Sequence, residues 1–152
     1  MQPFRLTFAL LLFVFVMPGS AWAQEQKVSV AVVHSGDDII GKRLAFALRE
    51  AIRSSSGYKL ADESTSLLRI NLTTIDPALS PQSGGAWTAA SVVFLMTNII
   101  PLQKGNPQTW YPIYLTSLVL TAGSQRVEEQ AKGILASLDN SVEQYKQSMK
   151  QQ

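Results

Sequence analysis

Ala86-Trp-Thr-Ala-Ala-Ser-Val-Val-Phe-Leu-Met-Thr-Asn-Ile-Ile100 decides the fold, because it reads either as a membrane-spanning helix or as a strand. No charge occurs between Pro77 and Gln103. A spanning helix needs about 20 predominantly apolar residues. This run is shorter, is broken by Thr88, Ser91, Thr97 and Asn98, and is rich in β-branched and aromatic residues. It therefore reads as one long strand. Pro101 to Gln108, with Gly105-Asn106-Pro107, supplies a hairpin turn. Thr109 to Thr121 returns as Thr-Trp-Tyr-Pro-Ile-Tyr-Leu-Thr-Ser-Leu-Val-Leu-Thr, a second long strand. Pro112 fits where a missing amide does no harm, at an edge or a strand start.

Upstream, Leu68 to Thr74 alternates cleanly. Leu68, Ile70 and Leu72 share one face, and Arg69, Asn71 and Thr73 the other. Ile75 to Gly85 is a loop with two prolines and two glycines. Lys27 to His34 is a β-branched run read as a central strand, covered on both faces toward its end. Tyr58 to Leu60 is a short edge strand or an extended connector. Between them Ile40, Leu44, Ala47, Leu48, Ala51 and Ile52 form the stripe of an amphipathic helix from Ile39 to about Ser55. Gly57 is placed to take a left-handed cap after it. A longer helix follows Gly123-Ser124, with Val127, Ala131, Ile134, Leu138, Val142, Tyr145 and Met149 on one side. Two one-sided helices and a long hairpin predict an α+β fold. Its expected form is an antiparallel or mixed sheet of four to five strands, both helices on one face.

The first 23 residues have the layout of a secretory signal peptide. Arg5 precedes an apolar run from Leu6 to Met17, and Ala21-Trp22-Ala23 offers small residues to a signal peptidase. Cleavage is expected near Ala23-Gln24, leaving one domain over residues 24–152 in the periplasm of a Gram-negative cell. No integral membrane segment is expected after cleavage. The chain has no cysteine, which excludes disulfides and thiolate metal sites. Its 13 Lys+Arg become 12 once Arg5 leaves (13 − 1), against 11 Asp+Glu, so the mature charge is close to zero. The cations are scattered among acids, which argues against nucleic acid as a partner.

Two sets of residues are candidates for function. His34-Ser35-Gly36-Asp37-Asp38 sits at a strand end, where open α/β sheets place ligands. His34 with Asp37 or Asp38 could join a divalent cation, or His34 could activate Ser35. Against this, Ser35 or Asp37 suits a helix cap while the other acid favours the helix dipole. A third histidine-type ligand is missing too, since His34 is the only histidine. No metal or other cofactor is expected. Trp87, Trp110, Tyr111 and Tyr114 mark opposite ends of the hairpin. They suit a binding surface, or else packing beneath the helices. The uncharged hairpin itself must be paired within the domain, with a second copy, or with a partner.

The segment Gly41-Lys-Arg-Leu-Ala-Phe-Ala-Leu-Arg-Glu-Ala-Ile-Arg-Ser-Ser-Ser-Gly-Tyr-Lys-Leu60, with Asp37-Asp38 before it and Leu115-Thr-Ser117 far beyond, resembles small uncharacterised exported α/β proteins of Gram-negative bacteria. The likeness spans Val28 to Leu138. The helix-then-Ser-Gly-aromatic pattern is more distantly similar to the N-terminal domain of the TolB translocation protein and to curli secretion components. The resemblance implies an interaction module of the cell envelope, and the uncharged hairpin adds the expectation that this non-enzymatic module binds an envelope protein or itself, as a homodimer through the hairpin. Its expected contacts are Trp87, Trp110 and Tyr111, then His34, Asp37 and Asp38. The alternative is a small periplasmic hydrolase or metal-dependent enzyme working through the His34–Asp38 loop.

Overall fold

The β-branched runs become strands and the two apolar stripes become helices. The computed structural model describes residues 27–77, 86–100 and 109–151; of residues 98–100, 109 and 110 only the backbone is described. The leader expected over residues 1–23, the loop at 78–85 and the hairpin turn at 101–108 lie outside the described residues. The elements run β1 (Val28–Ser35), α1 (Ile39–Ser54), β2 (Tyr58–Leu60), β3 (Leu68–Ile75), β4 (Trp87–Ile100), β5 (Thr109–Gly123) and α2 (Val127–Lys150). A short 3-10 turn, Glu63–Thr65, lies between β2 and β3.

The five strands make one mixed sheet in the order β2-β1-β3-β4-β5. The first three are parallel to one another, and β4 and β5 are antiparallel to their neighbours. Both helices cover one face of it, as expected. Val30, Ile70, Leu72, Val92 and Phe94 meet Leu44, Leu48 and Ile52 of α1 and Ile134 and Leu138 of α2 in a single core. Burying each such side chain stabilises the fold by about 1.5–3 kcal/mol. On α2 the buried positions Val127, Ala131, Ile134, Leu138 and Ser141 keep helical spacing. The stripe then leaves the core, and Met149 is exposed.

Two local expectations need correction. β1 is covered on both faces in its first half, not toward its end. There Ser29, Val30 and Ala31 are buried, whereas Val32 to His34 are half-buried and Ser35 is exposed. The cause is the crossing from β2 to β3, which runs over the face opposite the helices and bonds Leu67 N–H to Ser29 Oγ at 3.0 Å. Gly57 does not take a left-handed conformation; α1 ends through an extended Ser55 whose amide donates to Ile52. Among the described glycines, the positive φ belongs to Gly36, at +142°.

β3 pairs with β4 from Ile75↔Ala89 to Leu68↔Met96, whereas β4 and β5 stay paired as far as Ile100↔Thr109. The hairpin therefore runs past the end of β3 as a two-stranded arm. A bulge at Leu115 interrupts the register between Phe94↔Thr116 and Leu95↔Tyr114.

Candidate functional site

The loop after β1 is built to seat a helix. Gly36 turns the chain so tightly against Thr74 that a Cβ there would collide with the Thr74 backbone. Asp38, in extended conformation, is the N-cap of α1, and its Oδ1 accepts the Gly41 amide. The cap is thus Asp38 rather than Ser35 or Asp37, because β1 extends through Ser35 and Gly36-Asp37 make the turn. Gly41 is buried against Thr74 and the Asp38 carboxylate, with no room for a side chain.

His34 Nε2 lies 2.9 Å from Thr74 Oγ1. Burial lowers the His34 pKa, and the nearby Arg49 and Lys42 add to that, outweighing the pull of Asp38 and Asp37. Burial pushes the Asp38 carboxyl upward. Hydrogen bonding from Thr74, the Gly41 amide and Thr88 outweighs this and holds it below the usual carboxylate range. Even so, Oδ2 is buried without a well-formed hydrogen bond. Asp37 stands outside this group, fully exposed, with Lys42 3.6 Å away.

The arrangement brings His34 and Asp38 together through Thr74 and leaves Ser35 and Asp37 aside. Thr74 is 5% exposed and Thr88 is fully buried, so the hydroxyl that His34 touches belongs to the interior. Among the described residues, no group of three or more His, Asp or Glu could hold a metal ion. Surface grooves of about 540, 500 and 450 Å³ are present, and none of the three is lined by His34, Ser35, Asp37 or Asp38. What this nest does chemically is fix the β1–α1 junction.

The hairpin is different in kind. Trp87 pairs with Gly123 at one end, while Asn98 pairs with Tyr111 and Ile99 with Trp110 at the other. Trp87, Tyr111 and Tyr114 are exposed, so they do not pack beneath the helices; Phe94 fills that place. The Tyr114 hydroxyl meets Ser117 Oγ at 2.9 Å. The register then fixes which backbone groups of β5 are free. Ser124 N–H donates to Ala86 O and Thr97 N–H to Leu67 O. Strand alternation therefore turns the even residues of β5 from Thr116 to Ala122 toward β4. Ser117, Val119 and Thr121 point their amides and carbonyls outward, along an edge no described strand covers, and Gly123 points its amide the same way while its carbonyl accepts the Arg126 amide at 3.0 Å. Pro112, opposite Thr97, falls on that outward side, where its missing amide costs nothing. Val119 is 81% exposed.

The other edge of the sheet is guarded. β2 is only three residues long, so the second half of β1 has no described strand beside it on that side. Arg49 reaches from α1 and donates to Val32 O at 3.1 Å, placing a charged group over the gap. Sequence reading missed the free edge because strand order is a non-local property. It missed Thr74 and Thr88 for another reason: a buried threonine on the apolar side of a strand shows only that a polar partner exists.

Among the described residues, no helix is long and apolar enough to cross a membrane. No protein family matches the chain, and no curated protein does either. A solved structure, the hypothetical protein CT253 from Chlamydia trachomatis, is similar over 63% of this chain and 72% of its own, with 11% identity and a TM-score of 0.33.

Proposed function

We propose that this chain is a non-enzymatic protein-interaction module that works in the periplasm and takes up a partner strand along β5. The observation that carries this reading is the asymmetry of the two sheet edges. One is short and covered by Arg49, and the other offers 15 residues of β5 without a single charge. Exposed strand edges recruit further strands through main-chain hydrogen bonds, with side chains supplying specificity. The exposed Trp87 and Tyr111 flank the two ends of that edge and would add contacts there; of Trp110, the third expected contact, the backbone pairing with Ile99 is described. The signal-like residues 1–23 support export, and a partner would then be an envelope protein or this chain itself.

The enzymatic alternative has less support. The Thr74 hydroxyl of the His34–Thr74–Asp38 nest is buried against Gly41 of α1.

The test is photo-crosslinking in living cells, with a probe placed in turn at Val119 and at Asp38. A discrete adduct at Val119 and none at Asp38 is the expected result. Adducts at Asp38 alone, or at neither position, reject the reading.

A further inference from the structure

We infer that the strand received by β5 is the β5 strand of a second copy, added antiparallel about a two-fold axis at Leu120. This rests on the strand-recruiting reading above and deepens it. The usable edge has two ends. Toward the arm it stops at the Leu115 bulge and at Pro112, which has no amide to donate. At the other end the chain turns into the Ser124–Ala86 bond and on into α2. What is left is the outward set Ser117, Val119, Thr121 and Gly123.

That set is complementary to itself. With the axis at Leu120, Ser117 stands opposite the second copy's Gly123 and Val119 opposite its Thr121. Every outward amide of the four then has a carbonyl opposite it, the Gly123 carbonyl accepting from Ser117 as well as from its own Arg126. Moving the axis by one residue either way leaves at least one of the four without an opposite number. No charged residue occurs between Lys104 and Arg126, so two copies brought together here oppose no like charges. The pairing also closes. A two-fold contact uses the same edge on both copies, and the remaining edge of each is guarded by the short β2 and by Arg49. The product is a dimer with one continuous ten-stranded sheet rather than a fibre. A contact of one strand pair is small, so its affinity belongs on the order of micromolar.

Sedimentation velocity on the purified protein, from about 1 to about 500 µM, reads the association directly. The expected result is a monomer–dimer equilibrium. Val119→Lys is expected to weaken it at least about tenfold with an unchanged melting temperature, while Ala136→Lys on the exposed side of α2 leaves it alone. Because the chain has no cysteine, single-cysteine variants then test the register. Leu120→Cys is expected to yield an oxidised, covalent dimer and Ser117→Cys to yield little. The reverse cysteine pattern overturns the register, and a monomer at every concentration overturns self-pairing. A foreign adduct at Val119 in cells would then preserve the broader strand-recruiting reading, whereas no adduct at all would remove both.

Discussion

Asp38 does the work of three residues at the β1–α1 junction. It caps the helix, stands beside the Thr74 and Thr88 hydroxyls, and faces His34 through Thr74. Asp38→Ala is expected to cost about 0.5–2 kcal/mol, the usual worth of an N-cap, measured by urea unfolding at neutral pH. His34→Ala should cost less, since its ring makes one described hydrogen bond, to Thr74. Acid reveals both groups. His34 has a folded pKa below 6.5, so the unfolded chain takes up its proton first and stability falls as pH drops through 6.5 toward the folded value. Asp38 has a folded pKa below 3.8, so its contribution persists above 3.8 and is lost as pH falls through the folded value. Urea unfolding from pH 8 down to pH 3 should therefore show two successive losses, and His34→Gln should remove only the upper one. A stability that rises on acidification below pH 6.5 would contradict the burial of His34.

At the scale of elements, the apolar periodicities placed every strand and both helices to within about two residues. Ile39–Ser54 and Val127–Lys150 follow the stripes that announce them, and β3 follows the alternation from Leu68. Details that depend on a neighbouring element were not legible. Asp38 becomes the cap only because β1 extends to Ser35, and Gly57 escapes the left-handed turn because Ser55 already ends α1. The helix stripe was also read one-sidedly. α1 buries Ile40, Leu44, Leu48 and Ile52, yet Ile39 and Phe46 are 66% and 62% exposed on its outer side. Phe46 and Phe94 thus make a matched pair for experiment. Phe94→Ala, at 0% exposure, is expected to cost about 3–5 kcal/mol. Phe46→Ala should change stability by no more than about 0.5 kcal/mol, as exposed positions do. Thermal or urea unfolding of the two variants side by side checks both, and equal losses would mean that the core is not where Phe94 lies.

Across the whole molecule, strand order is what turns these elements into a candidate interface. The sequence contains an uncharged hairpin, but nothing local says that β4 pairs inward with β3 and leaves β5 outside. That outcome follows from the crossing between β2 and β3, which puts β3 on the far side of β1 and makes it the dock for the hairpin. The same topology leaves β2 too short to cover β1, and Arg49 makes up the difference. The guarding role of Arg49 can be separated from its contribution to the fold. Arg49→Ala frees Val32 O, and because that carbonyl then faces water the loss of one bond should cost only about 0.5–1.5 kcal/mol. The second edge, however, becomes available, so self-association should no longer stop at two. Light scattering at high concentration is expected to show larger species for Arg49→Ala and none for Arg49→Lys, whose ammonium keeps a charge over the gap. Adding Val119→Lys to Arg49→Ala should abolish the larger species, because growth beyond a dimer needs both edges. If Arg49→Ala behaves as the native protein does, the short β2 alone suffices as the guard.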